Sequence, residues 1–504
     1  MEKYVKEILS AKVYDVAIET PIHKAAVLSR RIGNEVFLKR EDMQPIYSFK
    51  LRGAYNKMSK LTPEAARRGV IAASAGNHAQ GVALAGTKLG IKTVIVMPVT
   101  TPRIKTDAVK NLGGNVILFG DTYNDAATHA MTLVEKKGYT FVHAFDDAAV
   151  IAGQGTVGLE IIRQHRGPLD VIFVPVGGGG LMAGMAAYIK YMRPEIKLIA
   201  VEAEDSACLQ AAMASGRRVK LSQVGLFADG VAVNQVGKEP FRVMRKLIDG
   251  VVTVTTDEIC AAIKDVFDDT RAITEPAGAL SIAGLKKYVR ENSLKGAALL
   301  AVVTGSNVNF DRLRHISERA ELGECREAVL AVTIDEKPGS FRRFSSALGR
   351  RNVTEFNYRY GDSQLARIFV GVEIQDTGDG RQVLLRDLTE KGFQVKDLSD
   401  NEVAKLHIRH MVGGRSPEVQ NELVYRFEFP ERPGALMKFL DLLGQRWNIS
   451  MFHYRNHGAA YGRVLIGIQV PENEKKQFQE FLRLIAYRYW EETDNAAYQT
   501  FLAP

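Results

Sequence analysis

One lysine and one run of glycines have the residue types and settings that suit a reactive cofactor. Lys50 lies between Phe49 and Leu51, and the run Gly177-Gly178-Gly179-Gly180 comes much later in the chain. A lysine amine can form a Schiff base with a carbonyl, and apolar neighbours lower the pKa of a lysine. Glycines between a strand and a helix let backbone N–H groups close on a phosphate. The two features together indicate a cofactor with both an aldehyde and a phosphate, and pyridoxal phosphate is such a cofactor.

Two other strand ends carry polar residues that such a cofactor and its substrate would use. The turn Ser74-Ala75-Gly76-Asn77-His78 follows an apolar strand; its N–H groups could hold a substrate carboxylate, and Asn77 could donate to a ring oxygen. The alternative for this stretch is an ordinary capped turn. Thr304 follows the apolar Leu299–Val303, where its hydroxyl can face the ring nitrogen. A neutral hydroxyl leaves that nitrogen a weaker electron sink than a carboxylate would, which favours β-elimination over racemisation and transamination.

A glycine pattern elsewhere in the chain suggests a different cofactor. Gly153-Gln154-Gly155-Thr156-Val157-Gly158 matches the dinucleotide pattern G-x-G-x-x-G, which needs a strand immediately before it. Here Asp146–Ala152 intervenes, and Gly155-Thr156 is expected to begin a helix. We therefore expect no nicotinamide or flavin at this segment.

Residues 36 to 310 alternate short apolar strands with longer helical patterns, and these elements must position the loops. The clearest strands are Val94–Met97, Val116–Phe119, Val171–Val174, Leu198–Val201 and Leu299–Val303. Strands that are apolar on both faces and separated by helices are typical of a mostly parallel α/β sheet. Such sheets bind ligands beyond the carboxyl ends of their strands, so we expect the loops above to meet there.

After about residue 320 the chain repeats itself. Three blocks recur at a nearly constant offset: Glu336–Phe341 as Glu431–Leu436, Asn352–Arg359 as Asn448–Arg455, and Ala366–Val372 as Gly462–Ile468. Each copy predicts a strand, a Pro-Gly turn, a helix, a strand, a turn and a strand, which is a small α+β module. Neither copy contains a catalytic constellation. A duplicated module beside an α/β body suggests a sensor, with a structural or dimerising role as the alternative.

Composition and charge disfavour several classes of protein. The chain has 504 residues, which predicts roughly two to four domains. Its net charge is +9, but Lys and Arg are interspersed with Asp and Glu, so we expect anionic small substrates and not nucleic acid. Cys208, Cys260 and Cys325 match no zinc motif and no disulfide framework, which indicates a reducing compartment and no bound metal. The polar start and the lack of a long apolar run predict a cytoplasmic protein that spans no membrane.

The segments Ser48-Phe49-Lys50-Leu51-Arg52-Gly53-Ala54, Ser74–His78 and Gly177–Gly180 together resemble the serine/threonine dehydratases of PLP fold type II, and the resemblance covers essentially the whole chain. It implies a tryptophan synthase β-like catalytic domain at 1–320, with a smaller subdomain inserted at about 45–150. It also implies that Lys50 binds the cofactor aldehyde and transfers protons, that Phe49 packs on the pyridine ring, and that Asn77 bonds its 3-hydroxyl. By the same resemblance the glycine run holds the phosphate, Thr304 faces the ring nitrogen, and Ser74–His78 receive the substrate carboxylate.

The duplicated module resembles the ACT-like regulatory region of the family's biosynthetic members, with copies expected at 326–400 and 420–504. The implied reaction converts L-threonine to 2-oxobutanoate and ammonia, or L-serine to pyruvate, as the first step of isoleucine biosynthesis. Isoleucine is expected to inhibit and valine to oppose it, in a homotetramer. The candidate effector contacts are turn and aromatic residues: Pro338, Gly339, Phe356, Tyr358, Pro433, Gly434, Phe452 and Tyr454. The alternative for the aromatic residues is an ordinary core.

Two positions bear on how far the resemblance extends. Thr304 stands where the family often has serine, so the hydroxyl is kept with an added methyl that could shift the ring. Ala75 stands where related serine racemases carry a serine acid/base, and alanine transfers no proton, which favours dehydration. Two other functions stay open: another enzyme of this fold, such as a serine dehydratase or threonine synthase, and a non-enzymatic amino-acid sensor. Ser74–His78 argue against the synthases, and Lys50 argues against the sensor.

Overall fold

The chain folds into two compact units, Met1–Gly323 and Glu324–Pro504. The computed structural model describes residues 1–99, 101–120, 122–225, 227–310, 312–323, 326–349, 351–359, 364–374, 379–401, 419–430, 434–455, 461–494 and 498. Among these residues no helix combines the length and the apolar character that crossing a membrane requires.

The first unit is built from short strands and longer helices. Its strands are β1 Ile22–Lys24, β2 Glu35–Arg40, β3 Val70–Ala73, β4 Thr93–Met97, β5 Asn115–Leu118, β6 Thr140–Phe141, β7 Val171–Pro175, β8 Lys197–Ala203, β9 Gly250–Val254 and β10 Ala298–Val303. Its helices are α1 Glu2–Leu9, α2 Ala26–Ile32, α3 Lys50–Met58, α4 Pro63–Arg68, α5 Asn77–Leu89, α6 Arg103–Asn111, α7 Tyr123–Lys137, α8 Ala148–Gln164, α9 Gly180–Met192, α10 Cys208–Ser215, α11 Lys238–Leu247, α12 Thr256–Thr270, α13 Pro276–Glu291 and α14 Arg312–Gly323.

These strands form two sheets. The larger sheet has the order β1-β2-β10-β7-β8-β9 and is parallel except for β1, which pairs antiparallel with β2. The smaller sheet has the order β5-β4-β3-β6 and is parallel throughout. The predicted α/β class with mostly parallel sheets is confirmed, and the five strands predicted from apolar runs are β4, β5, β7, β8 and β10, with small shifts at their ends.

The central strands are apolar on both faces because helices cover both sides of the larger sheet. Every residue of β7 and of β10 is buried. Along β7, Ile172 and Val174 belong to one core cluster, whereas Phe173 belongs to another on the opposite face. The carboxyl ends of β3, β7 and β10 lead directly into the three loops predicted to carry the chemistry.

The dinucleotide-like glycines lie inside α8, and this helix begins at Ala148 and not at Gly155 as the sequence predicted. The Asp147 side chain caps it by accepting from the first backbone N–H groups. A Cβ on Gly153 would lie 2.6 Å from the main-chain oxygen of Arg52. The glycines therefore allow α8 to pack closely against α3, and they form no phosphate loop.

A buried cluster of two cations and two anions ties α3 to α8 and to the end of β2. Arg52 of α3 donates to Glu41 at 2.8 and 2.9 Å and to Glu160 of α8 at 2.6 Å. Lys39 of β2 donates to Glu160 at 2.5 Å. All four side chains are fully buried. Because each cation is hydrogen-bonded to a carboxylate, the charges compensate one another and fix the start of α3 relative to the larger sheet.

The second unit contains two copies of one module in a single antiparallel sheet. The first copy consists of β11 Glu327–Asp335, α15 Ser340–Leu348, β12 Val353–Arg359, β13 Leu365–Glu373, α16 Gly380–Glu390 and β14 Gln394–Asp397. The second copy consists of β15 Glu422–Pro430, α17 Ala435–Leu443, β16 Asn448–Arg455, β17 Tyr461–Gln469, α18 Lys475–Ile485 and β18 Arg488–Glu491.

The strand order of this sheet is β14-β11-β13-β12-β16-β17-β15-β18, so the two copies meet where β12 pairs with β16. The predicted duplicated α+β fold is confirmed. The second helix and the last strand of each copy were not predicted from the sequence, because those segments have diverged and carry no recurring block.

Replacing Glu160 with Gln should destabilise the first unit, because Lys39 and Arg52 would keep buried positive charge without their shared carboxylate. We expect the free energy of unfolding to fall by about 3–5 kcal/mol. The measurement is urea unfolding followed by pulsed hydrogen exchange of peptides from the first unit. Both tryptophans, Trp447 and Trp490, lie in the second unit, so their fluorescence should keep its midpoint.

The matched control for that experiment is Glu35→Gln. Glu35 pairs with Lys24 at 2.5 Å, but both side chains are 54% exposed. Loss of this pair should change the free energy of unfolding very little, because water screens exposed charges. Equal destabilisation by the two variants would contradict the importance of burial in the cluster.

Candidate active site

Lys50 lies at the start of α3, against the carboxyl end of β10. The Phe49 N–H donates to the main-chain oxygen of Thr304 at 3.3 Å. The Ser306 N–H donates to the main-chain oxygen of Tyr47 at 3.0 Å. Main-chain pairing thus brings the predicted Lys50 and Thr304 to the edge where parallel α/β sheets bind ligands.

The Lys50 amine lies in a partly desolvated position. Its Nζ donates to the main-chain oxygen of Ala144 at 3.2 Å and lies 5.3 Å from the centroid of the Phe49 ring. Loss of water lowers the pKa of Lys50 to about 8, and the negative charge of Glu275 opposes part of the shift. About a tenth of the amine is therefore neutral at pH 7, far more than in an ordinary lysine. The neutral amine is the nucleophile that a carbonyl requires.

The loop Gly177–Gly180 leads from β7 into α9 and leaves no room for side chains. A Cβ on Gly177 would lie 2.8 Å from the main chain of Val231, and one on Gly178 would lie 2.2 Å from the Phe145 ring. Gly179 precedes α9 with a φ of 90°, a left-handed conformation that favours glycine. No described residue accepts from the N–H groups of Gly177, Gly178 or Gly179. These donors and the start of α9 form a cradle for an anion.

These two features fit pyridoxal phosphate. An amine with a pKa of about 8 can condense with the cofactor's aldehyde, and a side-chain-free cradle at a helix start can hold its phosphate. Side chains at Gly177, Gly178 and Gly179 would collide with Val231, Phe145 and Met244, so glycine is required for the loop to keep this conformation.

The segment Ser74–His78 runs from the end of β3 into the first turn of α5, as the sequence predicted. The Ser74 hydroxyl accepts from the Gly76 N–H at 3.2 Å, and Ala75 packs against the core of the smaller sheet. No described atom lies within 4 Å of the position of a Cβ on Gly76, so space remains in front of α5. His78 Nε2 donates to the main-chain oxygen of Val142 at 2.8 Å. Burial lowers the pKa of His78 to about 3, so His78 is neutral and bonded to the main chain, and brings no charge to the turn.

Glu275 is a residue of this site that the sequence analysis missed. It directly precedes α13 and is 5% exposed. Asn77 Nδ2 donates to Glu275 Oε1 at 2.7 Å, and Asn307 Nδ2 donates to Asn77 Oδ1 at 2.7 Å. Burial raises the pKa of Glu275 to about 7, and the charge of Asp229 adds to the shift. The one signal in the sequence was a glutamate before Pro276 at the start of an apolar helix, since a charge there needs a partner if it is buried.

Thr304 lies at the end of β10 and is 4% exposed. Its Oγ1 donates to the main-chain oxygen of Ala277 at 3.1 Å. While that bond persists, the hydroxyl can accept from a protonated ring nitrogen but has no hydrogen left to donate to an unprotonated one.

The aromatic effector candidates of the second unit lie in its core. Phe356 and Phe452 are fully buried, and their ring centroids are 5.2 Å apart across the β12–β16 pair. Tyr358 is also buried and its hydroxyl donates to Glu336, while Tyr454 packs against the same core. These surroundings are those of packing residues.

Two of the turn candidates, Pro338 and Gly339, lie beside a cleft of the second unit. Gly339 and Gly434 precede α15 and α17 with φ of 89° and 86°, whereas Pro433 lies outside the described residues. The turn Pro338-Gly339 borders a cleft with residues of the second copy: Leu440, Leu443, Gly444, Trp447, Asn448 and Ile449. A second cavity, of about 130 Å³, is lined by Thr333, Ile334, Asp335, Ser340, Arg343, Leu365, Gly392, Phe393 and Gln394.

Known protein families match both units. Residues 13–305 match the family described as pyridoxal-phosphate dependent enzyme. Residues 318–408 and 413–502 match the family described as the C-terminal regulatory domain of threonine dehydratase. The fold and the site thus define a pyridoxal-phosphate enzyme of fold type II with a regulatory region.

Individual relatives narrow the class. The chain is 56% identical over 503 residues to the biosynthetic L-threonine dehydratase of Burkholderia multivorans, with 99% of each chain covered. The structure of the processed form of threonine deaminase isoform 2 from Solanum lycopersicum is similar, with a TM-score of 0.63 and 50% identity over 64% of this chain and 88% of that one. Maize serine racemase shares the fold with a TM-score of 0.59 and 30% identity, over 62% of this chain and 95% of that one. This chain belongs to the family of biosynthetic threonine dehydratases, which are pyridoxal-phosphate enzymes.

The lowered pKa of Lys50 predicts that it reacts with an amine-selective reagent at a lower pH than an ordinary lysine does. In cofactor-free protein, pulse acylation of Lys50 should reach half its plateau rate near pH 8, because only the neutral amine attacks. Mass spectrometry of the Lys50 peptide across a pH series measures this. The same peptide from urea-unfolded protein is the control and should shift to about pH 10.4. Identical profiles in the folded and unfolded states would refute the desolvated setting of Lys50.

Proposed function

We propose that this chain converts L-threonine to 2-oxobutanoate and ammonia, and L-serine to pyruvate and ammonia by the same route. The observation that carries the proposal is the proximity of three features. Lys50 Nζ bonds to Ala144, the neighbouring Phe145 packs against Gly178, and α5, which begins at Asn77, adjoins Lys50. The relatives are threonine dehydratases, which supplies the substrate. Their biosynthetic class supports a place at the first step of isoleucine biosynthesis.

Lys50 is the group that moves protons in this proposal. When bound, pyridoxal phosphate supplies an aldehyde for amines and a ring that withdraws electrons from the substrate Cα. The free Lys50 Nζ would remove the Cα proton of the bound threonine. A pKa of about 8 lets this nitrogen accept a proton and give it up again near neutral pH. The β-hydroxyl leaves as water, and hydrolysis of the released enamine regains that water and frees ammonia.

The turn Ser74–His78 orients the substrate in this proposal. Its N–H groups and the start of α5 attract the substrate carboxylate, because a helix N-terminus favours negative charge. Neutral His78 adds no competing charge. Ala75 transfers no proton, so a proton removed at Lys50 is not replaced at Ala75, and elimination is favoured over racemisation. Phe49 and Thr304 are assigned to the ring face and the ring nitrogen, and Gly177–Gly180 to the phosphate.

Replacing Lys50 with Ala should lower 2-oxobutanoate formation from threonine by more than about a thousandfold, because the proton-transfer group is lost. The assay measures the keto acid from threonine and, separately, pyruvate from serine. Lys57→Ala is the matched control, because Lys57 lies on the same helix and pairs with Asp147 at 2.6 Å. Substantial turnover by the Lys50 variant, with a folded chain, would show that the wrong lysine has been assigned.

We also propose that isoleucine binds the second unit and inhibits the first, and that valine opposes it. The match to a threonine dehydratase regulatory region supports this. The cavity of about 130 Å³ offers Asp335 for an ammonium group and Arg343 for a carboxylate, with Ile334, Leu365 and Phe393 as apolar wall. An amino acid with a branched side chain matches that set. Inhibition requires that the effector bind one state of the enzyme more tightly than another.

Replacing Arg343 with Gln should weaken isoleucine binding about tenfold or more, because a charge-assisted hydrogen bond is lost. Calorimetric titration of isoleucine and inhibition of threonine turnover measure this. Arg342→Gln is the matched control, since Arg342 bonds to Asp441 at 2.8 Å beside the Pro338-Gly339 cleft. A loss confined to the Arg342 variant would move the effector to that cleft. An enzyme without residues 326–504 that stays active and stays inhibited would refute the regulatory assignment altogether.

The domain assignment follows from the same proposal. Residues 1–320 would form the catalytic domain, with 45–150 as its smaller subdomain around the sheet β5-β4-β3-β6, and 326–400 and 420–504 would form the regulatory copies. A homotetramer is part of the proposal and rests on the family resemblance; sedimentation equilibrium tests it.

A further inference from the structure

Glu275 is a buried carboxylate at this site that none of the roles above uses. Its Oε1 lies 2.7 Å from Asn77 Nδ2, and the side chain is sealed from water. A Cβ on Gly305 would lie 2.6 Å from the same oxygen, so this glycine lets the carboxylate approach the strand end that bears Thr304. A carboxylate removed from water needs a donor or a countercharge, and here Asn77 is a donor.

A chain of hydrogen bonds fixes which way the Asn77 amide faces. Asn307 Nδ2 donates to the main-chain oxygen of Ile46 at 2.8 Å, and a carbonyl oxygen can only accept. The same nitrogen donates to Asn77 Oδ1 at 2.7 Å. Asn77 Nδ2 must then face Glu275, whose ionised carboxylate can also only accept. The acceptors at both ends of this series of hydrogen bonds are fixed, so the Asn77 amide cannot rotate by 180° without breaking the series.

The Asn77 amide has two N–H groups, and only one of them has an acceptor among the described residues. One Nδ2 hydrogen is donated to Glu275, and no described residue accepts the other. Asn77 begins α5, and this helix packs against Lys50: a Cβ on Gly81 of α5 would lie 3.2 Å from the Lys50 main-chain oxygen. The remaining donor therefore stands at the start of the helix that adjoins the lysine.

We propose that Glu275 is a positioning residue: it holds Asn77 with an N–H available to the cofactor's ring oxygen and thereby sets where the pyridine ring lies relative to Lys50. The proposal rests on the assignment of Asn77 to the cofactor. If the amide turned over, its oxygen would meet another acceptor and the contact would become repulsive.

A different role for Glu275 would be purely electrostatic, as a negative charge that acts on Lys50. The charged groups that face Glu275 are Asp229, Lys105 and Lys50, and Lys105 pairs with Asp229 at 2.6 Å. Charge and hydrogen-bond geometry can be separated, because some substitutions keep the one and remove the other.

The test is the affinity of cofactor-free full-length protein for pyridoxal phosphate, measured by absorbance titration at about pH 8, above the pKa of about 7 of Glu275. Glu275→Leu removes the acceptor, and Glu275→Asp keeps the charge but withdraws it from Asn77. Both should weaken binding about tenfold and shift the absorbance maximum of the bound cofactor, which is the effect of one lost hydrogen bond. Glu275→Gln keeps an acceptor oxygen and should stay within about threefold of the unmodified protein.

A double-mutant cycle shows whether Glu275 acts through Asn77. In an Asn77→Ala background, Glu275→Leu should change the affinity by less than about twofold, because the amide it would position is gone. Equal losses in both backgrounds would overturn the proposal. Retained affinity in the Glu275→Asp variant with loss in the Glu275→Gln variant would also overturn the proposal, because it would assign the role to charge. An Asn77→Ala variant that binds the cofactor normally would overturn it as well.

A buried carboxylate elsewhere controls for general destabilisation. Asp265 lies on α12, is 4% exposed and pairs with Lys286 at 2.7 Å. Asp265→Asn should leave the cofactor affinity and the absorbance maximum unchanged; a shift equal to that of Glu275→Leu would overturn the specific role. These readouts need no turnover, so a protein that binds the cofactor as expected and fails to convert threonine would contradict the proposed function and leave this inference standing.

Discussion

The placement of α3 by buried charges is the constraint on which the rest of the site depends. Arg52 lies in the same helical turn as Lys50, and its guanidinium is held by Glu41 and Glu160 inside the protein. Charge-assisted hydrogen bonds in a dry interior are strong, and a shift of α3 would leave ions without partners. Lys50 thus owes its position to residues that take no part in the chemistry. The close contact of α3 with the glycines of α8 serves the same end.

Desolvation favours the neutral form of both ionisable groups of the site, the lysine amine and the glutamate carboxyl. The pKa of Lys50 falls to about 8 and the pKa of Glu275 rises to about 7. In the proposed function the phosphate would be held by main-chain N–H groups of Gly177–Gly180 and the start of α9. Such directed donors would fix the orientation of an anionic cofactor as well as its location.

Most of the residues that could be predicted from the sequence follow recognisable strands. The glycine loop and Thr304 follow β7 and β10 of the larger sheet, whose parallel strands end at one edge, and Asn77 follows β3 of the smaller sheet. Lys50 begins a helix, and it was predicted from its apolar neighbours and the glycine that follows. Glu275 could not be found in this way, because its partner Asn77 is distant in the sequence and only tertiary packing brings the two together. Lys39, Arg52 and Glu160 likewise resemble surface charges until their mutual contacts are seen. The start of α8 was misplaced because glycines suggested a helix terminus, whereas Asp147 supplies the cap earlier.

The β12–β16 pairing forms the seam between the regulatory copies, and its geometry determines how the copies associate. In the antiparallel pairing of β12 with β16, Phe356 lies opposite Tyr454 and Tyr358 lies opposite Phe452, so equivalent residues exchange places across the seam. This is the self-complementary arrangement of a two-fold symmetric dimer. Concatenation of the copies in one polypeptide makes that association intramolecular, with a fixed effective concentration. The pairing of the copies therefore persists at any dilution, and neither copy is left with β12 or β16 as a bare edge open to aggregation.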